Sequence, residues 1–178
     1  MTKNIAVELI LQNLKEAHMY FEQTMEGVTN EVAAYMPPGV ANPIAGLYAH
    51  LVFSEDFFMS FFIKKSTALY DGEWKDKTGI SELQPTEWEK EYPRWLKSVK
   101  VDIAKAREYA KAVYKVSEDY VAGLTDEDLM KEIDMSMFHM GNRTIGNVLS
   151  SMVVGHARDI MGEVSAIKGV QGLKGYPF

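Results

Sequence analysis

The residues best placed to do chemistry are His156 and Glu163, because both stand on the apolar stripe of the last long helical segment. With His156 as origin and about 100° per residue, Ile145, Leu149, Met152, Ile160 and Ile167 fall within about 40° of it, and Glu163 about 20° away. A core-facing stripe should be apolar. A buried histidine and carboxylate need a partner, a proton or a metal ion, since an uncompensated buried charge is too costly to keep. Asp159 lies about 4.5 Å along the axis from His156 but is rotated by about 60°, whereas Glu163 is aligned and about 10.5 Å along. A single ion on His156 would meet Asp159 more easily, and Glu163 would need a bridging water or a partner from another helix.

His50 shares a stripe with Ser54, Phe57 and Phe61 and points toward the core or the rim of a bundle cavity. Glu55 and Asp56 lie more than about 100° around the same helix and read as a solvated or capping pair. His18, between Leu14 and Phe21, is a third inward candidate, although a lone histidine on an apolar face is ordinarily a hydrogen-bonded core residue. His139 sits in a Met-rich loop without periodic context and reads as having no site role. Sites in bundles are built from facing helices, and imidazole suits zinc, nickel, copper and iron. His50 and His156 are therefore expected to share either a divalent ion completed by Glu163, with Asp159 as the alternative, or a hydrogen-bonded polar cluster facing a small-ligand pocket. There is no GxGxxG or GxxxxGK[ST] loop, no GxSxG elbow and no HExxH, which removes motif support for nucleotide binding and serine-hydrolase chemistry.

The elements that must carry these residues follow from apolar spacing. Helix 1 is predicted from about Asn4 to Val32, with Val7, Leu11, Leu14, Phe21 and Met25 on one face, ended by Tyr35-Met36-Pro37-Pro38-Gly39. Asn42-Pro43 supplies an N-cap and a first-turn proline for helix 2, which runs to about Lys65. Periodicity fails from Ser66 to Ser98, a long crossover holding Trp74, Trp88 and Trp95, whose rings should be buried against the bundle; Thr86 could cap a short helix there. Helix 3 spans roughly Val99 to Gly123. Thr125-Asp126-Glu127-Asp128 reads as a capped turn, and a loop through Met140-Gly141-Asn142 leads to helix 4, about Thr144 to Gly169. No strand with period-two alternation stands out. Four long helices and one crossover between helices 2 and 3 predict an all-α four-helix bundle, a single domain over 1–178.

Composition bounds the partners. With 178 residues, 47% of them apolar, the chain can bury a sizeable core. Its net charge of −6 and dispersed basic residues argue against nucleic acid. No apolar run approaches the roughly 20 residues of a membrane span, and the amphipathic N-terminus is unlike a secretory leader. The absence of cysteine excludes disulfides and thiolate sites and agrees with a cytoplasmic location. The eleven methionines and the run Phe57-Phe58-Met59-Ser60-Phe61-Phe62 read as core and as the surface of a homodimer.

Asn42-Pro43-Ile44 opening a helix with His50-Leu51 and Ser54-Glu55-Asp56, followed by His156-Ala157-Arg158-Asp159 and Gly162-Glu163 running into Ile167-Lys168-Gly169-Val170-Gln171-Gly172, resembles the DinB/YfiT-like superfamily over most of the chain. The resemblance implies a four-helix bundle with a long connection between helices 2 and 3, commonly dimeric. It also implies a divalent metal, zinc or nickel, on three histidines, and with it metal-dependent hydrolase or thiol S-transferase activity on a small electrophile. His50 and His156 match the first two ligand positions. The third falls on Ile160, which cannot bind a metal, so Glu163 or Asp159 would have to complete the site.

Overall fold

The computed structural model describes residues 4–178, apart from the side chains of residues 88 and 89. The first apolar repeat is cut in two. Helix α1 covers Ile5–Thr24, Gly27 turns the chain at φ +75°, and α2 resumes over Asn30–Ala34, capped by Thr29, whose Oγ1 accepts from the Val32 N–H at 3.3 Å. Only glycine adopts that φ cheaply, which is why the predicted single helix stops there.

Helix α3, Ile44–Phe57, continues as a π-helical segment over Phe58–Lys64. Pro43 is its N-cap, with no side-chain cap bond, so Asn42 stands one residue too early for the capping role expected of it. From Ile44 to Asp56 every residue but His50 is buried, as expected of a helix without a polar face. In the crossover, a short turn at Leu69–Asp71 precedes α4, Trp88–Ser98, which follows Glu87 rather than Thr86 and carries Pro93 inside it. Trp95 is buried and its Nε1–H donates to the Glu82 carbonyl at 3.4 Å, while Trp74 is only half-buried; the expectation for the Trp88 ring lies outside the described residues. A methyl group on Gly46 would strike the Leu96 carbonyl, so this glycine is what lets α4 lie directly on α3.

Helix α5, Ile103–Ala122, is capped by Asp102. The following loop contains a small antiparallel ribbon, β1 Glu132–Asp134 with β2 Asn142–Thr144, Ile133 facing Arg143. Three residues per strand are too few for alternation to declare itself in sequence, so the ribbon was missed. The last helix is continuous but not uniform: α6 (Ile145–Val148), a π-helical segment (Leu149–Gly155), then α7 (His156–Val170).

The four long helices form the predicted all-α bundle. Helix α1 lies beside α5 and α7, and α3 beside the same two, so α1 and α3 face each other across the middle. Lys168, buried on α7, closes one end by donating to the Thr24 and Glu26 carbonyls at 2.6 and 2.8 Å, which satisfies acceptors left open at the end of α1. No helix among the described residues is long and apolar enough to cross a membrane.

Candidate functional site

His50 and His156 meet. Their Nε2 atoms lie 2.9 Å apart, between α3 and the first turn of α7, and both residues are half-buried. The π segment before His156 sets its approach. Wider turns alter the phase of the residues ahead of it; Val153 and Val154 are buried there, and Met152 is half-buried against the core. His50 Nδ1 lies 3.3 Å from Gln84 Oε1 and 3.1 Å from Ser54 Oγ. An amide oxygen can only accept, so His50 Nδ1–H donates to Gln84, and His156 Nε2–H donates to the bare Nε2 of His50. Gln84 was not foreseen, since nothing in the aperiodic crossover marks it.

Burial, and then the neighbouring His156, push His50 down to about 3 against the support of Gln84. Burial also lowers His156, opposed by the charges of Asp159 and Glu55. Both rings are neutral at pH 7. Tyr92 from α4 stands edge-on to His50 with ring centres 5.1 Å apart.

The carboxylates expected to complete a metal site stand on the outer side of α7. Glu163, read from sequence as buried, is exposed, as is Asp159. A bearing on a helix does not say how far neighbouring elements extend along the axis to cover it. Ile160, one turn beyond His156, is buried. Among the described residues no group of three or more His, Asp or Glu side chains is placed to hold a metal ion. Catalytic zinc ordinarily keeps three protein ligands, so two imidazoles that already bond each other do not fit that requirement. Neither a cleft of about 660 Å³ beside Gly79 nor one of about 310 Å³ beside Lys168 includes the pair.

A second polar cluster lies in the bundle middle, where Glu55 and Asp56 are buried rather than solvated. His18, stacked on Tyr114 at 4.0 Å, donates from Nε2 to Glu55 Oε2 at 3.1 Å and from Nδ1 to Glu118 Oε1 at 2.8 Å. Burial disfavours its charge, but Glu55 and Glu118 overcome this and raise it to about 9. His18 is thus the hydrogen-bonded core histidine anticipated, and an imidazolium. Asp56 does cap, accepting from the Leu69 and Tyr70 N–H groups at 3.0 and 3.1 Å, and from Ser60 Oγ at 3.2 Å and Tyr109 OH at 2.7 Å. The sequence carried a usable signal: on a helix whose apolar run leaves no polar face, every bearing is buried, so distance from His50 did not mean exposure to water. His139 stands apart at a loop position with φ 58°.

Comparison with curated proteins gave no match. Among solved structures, a conserved protein from Enterococcus faecalis superposes with a TM-score of 0.77 at 23% identity, covering 93% of this chain and 96% of that one, which shows a shared fold. The DinB superfamily model matches residues 13–159, a stretch that holds His50, His156 and the crossover between them. With the bundle, its long crossover and the meeting of His50 with His156, this match establishes that the chain belongs to the DinB superfamily.

Proposed function

We propose that the protein binds a small molecule at the His50–His156 pair without a resident catalytic metal. The observation that carries this reading is the 2.9 Å Nε2–Nε2 contact, in which each ring spends on its neighbour the atom it would offer a metal. Neutral, half-buried imidazoles can donate and accept hydrogen bonds and exchange protons with a ligand. The working unit in this proposal is a pair of chains joined through the exposed Phe61, stacked on Phe57, and the exposed Met137. Sedimentation at micromolar concentration should show a dimer, and a monomer there would remove this part of the proposal.

A metal-dependent hydrolase or thiol S-transferase is the second reading. One observation favours it: two imidazole nitrogens on one zinc, with Zn–N of about 2.0–2.1 Å, would also stand about 3 Å apart. It lacks a third protein ligand, and Ile160 occupies that place. Calorimetric titration of zinc and nickel into protein purified without a nickel column separates the two. The wild type should bind weakly. Ile160→His, which places an imidazole one turn from His156, should bind on the order of 100-fold tighter, a gain of about 3 kcal/mol. Tight stoichiometric metal retention by the wild type, lost in His156→Ala, would replace the first reading with the second.

A further inference from the structure

The groups around the dyad determine which ligands it can admit. The rings themselves bring no charge. Asp159 and Glu163 are neighbours at i and i+4 on the exposed side of α7, a like-charge pair that is unfavourable when left alone. Among the described residues neither is in an ion pair. Arg158, the cation between His156 and Asp159 in sequence, donates instead to Asn13 Oδ1 at 3.1 Å. Burial, then Asp159, raise the Glu163 carboxyl, and Glu163 adds to burial in raising the Tyr92 hydroxyl.

On the inner side stands Glu55, 2% exposed. Its Oε2 is taken by His18, but its Oε1 is buried with no hydrogen-bond partner among the described residues, and its charge acts on His156. A buried carboxylate oxygen without a donor is costly. An aromatic ring adjoins the dyad: Tyr92 lies against His50 and stacks on Trp95 with ring centres 5.8 Å apart. Carboxylates and an aromatic face together favour a positive charge, and the ring adds a cation–π term of its own.

We propose that the site takes a small organic cation, an ammonium or guanidinium compound, with its charge set among Asp159, Glu163 and the Tyr92 ring and its N–H groups turned toward the histidine dyad and Glu55. The inference rests on the ligand-binding reading above and adds the sign of the ligand's charge. A carboxylate or phosphate would meet the three carboxylates Asp159, Glu163 and Glu55.

The test follows the His50 and His156 ring signals by NMR during titration, at matched ionic strength, with ethylammonium chloride, its neutral analogue ethanol, and sodium acetate. Ethylammonium should shift both rings saturably and acetate should not. The double variant Asp159→Asn, Glu163→Gln, made at exposed positions that leave the core intact, should weaken ethylammonium about 10-fold or more, and Tyr92→Leu should weaken it as well. Ethanol or acetate binding at the rings as tightly as ethylammonium, or an unchanged affinity in the double variant, would overturn the cation preference while leaving the dyad as a binding site. If none of the three probes moves either ring, the ligand-binding reading falls together with the inference.

Discussion

Replacing His18 with leucine should lower the unfolding free energy by about 3–5 kcal/mol, because it leaves Glu55 as an uncompensated buried carboxylate. The two sit at 5% and 2% exposure and join α1 to α3 across the bundle, and Glu118 extends the link to α5. Urea unfolding of the two proteins at pH 6.5 measures the difference, and a loss below about 1 kcal/mol would show that the triad is not held as an ion cluster. The same residue gives the protein an alkaline limit. His18 rises from 6.5 to about 9 on folding, so its contribution is complete below pH 6.5 and is lost as the pH climbs through about 9. The size of that loss is about 3 kcal/mol at 1.36 kcal/mol per pK unit. His18→Leu should therefore be nearly flat over the interval in which the wild type weakens.

His50 works in the opposite direction. Its folded value is depressed to about 3, so the unfolded chain takes up a proton first as the solution is acidified. The stability tied to its neutral ring is present above pH 6.5 and is lost as the pH falls toward about 3. Two histidines, His18 buried and His50 half-buried, thus limit the fold from both sides of neutrality, one because it must be charged and the other because it must not be.

The second large effect belongs to Asp56. Its carboxylate gathers two backbone N–H groups at the start of the crossover, the Ser60 hydroxyl and the buried Tyr109 hydroxyl. Asp56→Ala strands these donors, each of which costs about 1–3 kcal/mol when left buried and unmet, and a loss of about 3 kcal/mol or more is expected. Because the loss is local to Leu69 and Tyr70, cleavage by a protease should rise first within residues 66–87. Asp56→Asn, which keeps one accepting oxygen, should fall between the wild type and Asp56→Ala. A stable, protease-resistant Asp56→Ala protein would mean that the crossover is anchored elsewhere, for instance through Trp95 and Gly46.

Much of the architecture was legible in the order of residues. Apolar spacing marked the long helices, and Gly, Pro and the failure of periodicity over Ser66–Ser98 marked the crossover, because these follow from local backbone preferences and from a helical period of about 3.6 residues. The same bearings put His50 and His156 inward from two helices that then face each other. Where the reading went astray, the cause was something a single helix cannot carry. The π segment before His156 interrupts the uniform spacing, and such a segment has no sequence code as plain as a glycine turn. Exposure of Glu163 depended on how far neighbouring elements run along α7, and burial of Glu55 on the fact that α3 is enclosed on every side.

By itself, then, the sequence determined where the long helices form and that His50 and His156 would point inward from two of them, since those are matters of local spacing and burial preference. Tertiary structure alone decided which polar groups meet: His18 with Glu55 and Glu118, Asp56 with Tyr109, and His50 with both His156 and Tyr92. Those contacts join residues far apart in the chain, and their distances are set by how the four helices pack, a property that no local spacing encodes.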